Sequence, residues 1–149
     1  MTLRIMAVLT FLLSGRAMTL AFLTRVGGTN MGDPPQAWLM PLIGDALIGI
    51  TALLLLYLML RHRGLWVWTA IIVWNVVAIW DALSAYLISL TNPWPEFFMI
   101  RFFGPAMFFA ASAMHLLIII LAMRREIRTY FLGEMGDSEP RHVPAAGTN

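Results

Sequence analysis

Five ionisable residues of this chain, Arg16, Asp45, Asp81, Arg101 and His115, fall inside stretches that are otherwise apolar, and the neutral Asn75 joins them. A charge in a membrane-spanning helix costs at least about 2.5–3.5 kcal/mol on insertion scales, so each of these groups needs a partner or a task. Three uses fit the residue types. Asp45 and Asp81, tuned apart by burial and by arginine, could act as general acid and base on a lipophilic molecule. The arginines would then stabilise a developing oxyanion, and Asn75 would orient substrate or water. Alternatively, Asp45 with Arg101 and Asp81 with Arg16 close as two ion pairs that fix helix assembly without any ligand. The third use is conduction of protons or ions by Asp45 and Asp81 toward Asn75 and His115. The Leu and Ile runs at 53–56 and 116–121 argue against the wet inner half that this would need.

Depth separates the candidates into two levels. Counting about 1.5 Å of rise per residue from the outer end of each run puts Arg101 about 6 Å in, Asp45 about 9 Å, Arg16 about 12 Å and Asp81 about 14 Å. Asn75 and His115 fall at about 23 Å and about 27 Å, so this pair is expected to stand apart from the outer cluster. Arg101, Pro105, Phe108, Ser112 and His115 recur at helical spacing and form one stripe. Around Phe108 on that stripe, Gly104, Ala111 and Ser112 would let another helix approach closely, and Asp45, Gly49 and Ala52 form a similar small-polar stripe on the second helix. Trp74 shares a face with Asp81 and Ser84, while Asn75 lies on a different one. The candidate site is therefore Asp45 and Asp81 as catalytic groups of an enzyme, with Arg16, Arg101, Asn75, His115 and Trp74 as ligand-binding or ion-pairing residues. No metal or cofactor is expected. Cysteine is absent, His115 has no histidine at ligating spacing, and the eleven Met are scattered as core packing would scatter them.

The elements that must position these groups follow from composition. Of 149 residues, 60% are hydrophobic and only 12% charged. A soluble domain carries roughly 25% charged residues, because a small globule has too much surface to cover with apolar atoms. Mean hydropathy is +0.77. Aromatic residues at 12% exclude a disordered chain. Four runs, at about 5–24, 39–60, 65–90 and 97–123, reach the roughly 20 apolar residues that a helix needs to cross the bilayer core. None of them alternates as a membrane strand would. Short links, among them Arg61-His62-Arg63-Gly64, force antiparallel neighbours. The expected fold is all-α, an integral membrane antiparallel four-helix bundle over residues 1–131, with a polar, disordered tail at 132–149. The start of the chain also has the outline of a signal peptide, but Ser14-Gly15-Arg16-Ala17 lacks a clean small-x-small site and the apolar run continues to Leu23.

All ten basic residues are Arg. Arg4, Arg61, Arg63, Arg124, Arg125 and Arg128 fall on one side of the four runs, which by the positive-inside rule places both termini in the cytoplasm of a bacterial inner membrane. Trp38 and Trp94 fit the outer interface, and Trp66, Trp68 and Tyr130 the inner one. Charges placed this way belong to topology, not to a nucleic-acid-binding face.

Gly44-Asp45 with Gly49, and Trp74-Asn75 with Asp81, resemble a Gly-Asp helix followed by a Trp-Asn helix in small bacterial membrane proteins. Leu3-Arg4-Ile5, Phe11-Leu12 and Ser14-Gly15 are similar to the four-helix DoxX-like proteins. Pro34-Pro35 before Trp38, with Asp45, is faintly similar to the sterol-isomerase and sigma-2-receptor type of membrane fold. That type uses interior acids on sterol-like ligands, but no Glu lies in any of the four runs here, and no site is carried over. The leading expectation is a multi-pass inner-membrane binding or accessory protein, alone, as a homo-oligomer or within a larger membrane complex. Its partners would be the lipid bilayer and a lipophilic small molecule. The alternatives are an isomerase, cyclase or epoxide-opening enzyme on a lipophilic substrate, and a small transporter or proton pathway.

Overall fold

A computed structural model describes residues 1–29, 33–92 and 103–133, and among these the chain is helical with no strand. Helix α1 (Thr2–Leu13) runs through a 3-10 segment at Ser14–Thr19 into α2 (Leu20–Leu23). A 3-10 turn at Gln36–Trp38 leads into α3 (Leu39–Arg61), and α4 (Leu65–Ser89), α5 (Ala106–Ala122) and α6 (Arg125–Leu132) follow. Three elements are long and apolar enough to cross a membrane: Thr2–Leu23, Gln36–Arg61 and Leu65–Ser89. A fourth is obtained if α5 and α6, bent by 69° at their junction, count as one span.

The first three expected runs match these helices closely. The fourth does not, because Gly104 takes a left-handed φ of 53° and Pro105 caps the helix that starts at Ala106. A left-handed glycine followed by a residue without an amide proton breaks the i to i−4 ladder, so the helix that carries Phe108, Ser112 and His115 begins only after Pro105. Arg101, Trp94 and the start of the fourth run lie outside the described residues, as does the tail beyond Gly133.

Beyond Met123 the chain forms α6. Ile127 and Phe131, four apart, are buried, while Arg124, Arg125 and Arg128 are exposed. This short helix is tied down at several points. The Thr2 hydroxyl donates to Glu126 at 3.0 Å, the Gly64 amide donates to the Phe131 carbonyl at 2.8 Å, and the Arg63 guanidinium lies 4.3 Å from the centre of the Tyr130 ring.

Buried positions on the long helices keep helical spacing. On α4 they are Val67, Ile71, Asn75, Ala78, Ala82, Ala85 and Ser89. Helix α3 packs against the first span and α4, and α5 packs against α4 and α1. The outward faces are equally apolar, with Leu53, Leu54, Val76, Val77, Leu116 and Ile120 exposed. Helices hydrophobic all round need a non-aqueous surround, which agrees with a membrane location. One apolar core gathers Met6, Leu13, Met59, Ile71, Ile118 and Ile127, and a second gathers Trp38, Leu42, Ala85 and Phe108. The polar residues described next are carried on the same helices.

Candidate functional site

The 3-10 segment of the first span aims the arginine at the centre of the site. Hydroxyls here compete for backbone carbonyls: Ser14 donates to Phe11 O at 2.6 Å and Thr19 to Arg16 O at 2.8 Å. Thr19 also reaches Leu42 O on α3 at 3.3 Å. Opposite, Gly49 leaves room for the segment's backbone, since a Cβ there would stand only 2.7 Å from the Ala17 Cα and from the Arg16 carbonyl carbon. The small stripe on α3 thus admits a neighbour at Gly49, and Asp45, one turn before it, meets the guanidinium.

Arg16 joins three helices. Its Nε donates to the Asp45 carboxylate of α3, and Nη2 lies against the same oxygen. Nη2 also donates to Asp81 Oδ2 of α4 at 2.7 Å, and Nη1 lies 3.1 Å from His115 Nε2 of α5. A guanidinium can only donate, so Nε2 of His115 accepts. The other ring nitrogen, Nδ1, stands 2.8 Å from Asn75 Oδ1, whose own amide nitrogen donates to Ile71 O at 2.7 Å. Asn75 Oδ1 therefore receives the Nδ1 proton, and the imidazole fits here in its neutral form. Trp74 packs its ring 5.3 Å from that of His115 and donates its indole N–H to the Thr51 hydroxyl at 2.9 Å.

This geometry changes two expectations. The pair Asp81 with Arg16 is present, but Asp45 also pairs with Arg16, so both acids share one guanidinium where two separate pairs were expected. The expected second partner, Arg101, lies outside the described residues. Asn75 and His115 are also not a separate level, because His115 touches Arg16 directly and carries Asn75 with it. The depth of His115 was counted from about Phe97, that of Asn75 from about Leu90 on its own helix, and neither count shows which side chains meet across the helices.

Side-chain exposure is 11% for Arg16, 27% for Asp45 and 16% for Asp81. Asp45 is the more exposed of the two acids, but Asp81 is the one that lines a groove. Asp81 contributes the one charge, and Ser84 a hydroxyl-bearing side chain, to the lining of a mostly apolar groove of about 310 Å³ between α3 and α4, bordered by Met40, Leu47 and Ile48 on one side and Val77, Trp80 and Ile88 on the other. Gly44 also lines the groove, and a Cβ there would collide with Asp81 Oδ1, so this glycine makes space for the carboxylate. Asp45, His115 and Asn75 do not line the groove.

One participant escaped sequence reasoning. Thr51 supports Trp74 while bonding Leu47 O of its own helix, and a hydroxyl within an apolar helix leaves no periodic signal. Ser112, placed on the expected stripe, has a buried hydroxyl oxygen without a hydrogen-bond partner among the described residues. No group of three His, Asp or Glu that could hold a metal ion occurs among the described residues. Comparison of the chain with protein-family models, with curated proteins and with solved structures yielded no match, so function has to be argued from this site alone.

Proposed function

We propose that this chain is an antiparallel four-helix protein of the bacterial inner membrane that binds a lipophilic small molecule in the groove between α3 and α4. Its arginine-rich end faces the cytoplasm. The observation that carries this reading is the groove itself, a mostly apolar space between two helices long and apolar enough to cross a membrane, with one carboxylate, Asp81, in its lining. Binding sites for small molecules pair mostly apolar walls with a few placed polar groups. The hydrogen bond from Arg16 holds Asp81 in position, and Gly44 leaves the carboxylate space. The Asp45–Arg16–Asp81 cluster also locks three helices together, so site and scaffold share the same charges.

The test is photolabelling in liposomes with a neutral long-chain aliphatic diazirine at low mole fraction, the adducts being mapped by mass spectrometry. Adducts concentrated on Met40, Leu47, Val77 and Ile88 are expected. Labelling spread evenly over outward residues such as Leu53, Leu116 and Ile120 would reject the groove as a site.

A further inference from the structure

We infer that the ligand of this groove is a lipophilic cation, an amine whose ammonium meets Asp81 and whose apolar body lies between α3 and α4; this rests on the reading of the groove as a binding site. Charge comes first. Around the guanidinium of Arg16 stand two carboxylates, Asp45 and Asp81, and a neutral imidazole, so the cluster carries one more negative than positive group among the described residues. In a medium of low dielectric an uncompensated charge is costly, and a bound cation removes that cost.

The place where the cation would sit is also defined. Of the two acids only Asp81 lines the groove. Trp80, which lines it too, is 74% exposed, and an indole face is the best aromatic partner for an ammonium. Apart from Ser84 the other walls, including Met40, Leu47, Val77 and Ile88, are apolar and match a hydrocarbon body. A metal ion is a poor occupant, because no cluster of three ligating side chains is present among the described residues. An anionic lipid or a carboxylic acid would bring like charge onto Asp81.

Thermal unfolding of the full chain in liposomes separates the possibilities, with dodecylamine, dodecanol and dodecanoate compared at equal mole fraction of lipid. Dodecylamine is expected to give half-maximal stabilisation at a mole fraction about tenfold lower than dodecanol, with dodecanoate weakest. Asp81→Asn should abolish the preference for amine over alcohol. Should Asp81→Asn not fold, Trp80→Leu serves instead and should reduce the preference about three- to tenfold through loss of the cation–π contact. Equal effects of amine and alcohol, together with groove-confined photolabelling, would overturn the cationic ligand and leave the groove reading intact. Evenly spread photolabelling would remove both.

Discussion

Replacing Arg16 with Met tests whether one guanidinium holds three helices. The substitution keeps an unbranched side chain but removes the hydrogen bonds to Asp45 and Asp81 and the contact with His115. Interhelical polar contacts in membranes average about 0.6 kcal/mol, which for three contacts gives a lower figure of about 2 kcal/mol. Removing one partner of a buried ion pair in a protein interior costs about 3–5 kcal/mol, because the remaining charge is left uncompensated. Both acids are less than a third exposed, so the expected loss lies between these figures, at about 2–5 kcal/mol. At 1.4 kcal/mol per factor of ten, that raises the unfolding constant by a factor of roughly 30 to 4,000. The assay is reversible unfolding in mixed micelles, followed by the fluorescence of the six Trp residues. Neutralising the stranded acids in Arg16→Met/Asp45→Asn/Asp81→Asn should recover most of the loss, since apolar or neutral replacements for a whole buried ion set are often tolerated. Unchanged stability in Arg16→Met, or a triple variant weaker than the single one, would refute the shared-guanidinium account.

Other substitutions probe single contacts. Gly49→Ala sets a methyl group against the backbone of Ala17 and Arg16, which cannot yield as a side chain would, and should cost about 1–3 kcal/mol in the same unfolding assay. Asn75→Leu strips the acceptor from His115 Nδ1 and should cost about 1–3 kcal/mol, much of it recovered in the double variant with His115→Leu; no recovery would argue against the hydrogen bond. Trp68→Phe loses the indole bond to Ala122 O, seen at 3.0 Å, and should destabilise by about 1 kcal/mol. Gly44→Ala pushes on the Asp81 carboxylate, so it should alter the amine preference of the groove more than it alters the unfolding midpoint, and the reverse result would place Asp81 in the scaffold alone.

The apolar runs were legible because the requirement for spanning a bilayer acts on every residue of a helix, and the ends of α3 and α4 were found almost to the residue. The break at Gly104-Pro105 was harder to see, since both residues fit an apolar run and the left-handed φ of Gly104 is a property of the backbone. Membership of the cluster was legible from residue type alone, because Arg16, Asp45 and Asp81 have no other reason to occupy apolar helices. Pairing was not, since it depends on which helices touch and how closely, and the 3-10 segment at Ser14–Thr19 packed on Gly49 decides that for Arg16. Helix α6 left a readable trace in Ile127, Tyr130 and Phe131 at helical spacing opposite arginines, masked by the polarity of the segment as a whole.

The central claim is that a lipophilic molecule occupies the groove beside Asp81, and a groove-filling substitution tests it most directly. Val77 lines the groove and is half exposed, so Val77→Trp should fill the space beside Asp81. Photolabelling by the aliphatic diazirine at α3 and α4 is predicted to fall severalfold in Val77→Trp, while Leu116→Trp on the outward face of α5 leaves it unchanged. Equal labelling in all three proteins would contradict the claim.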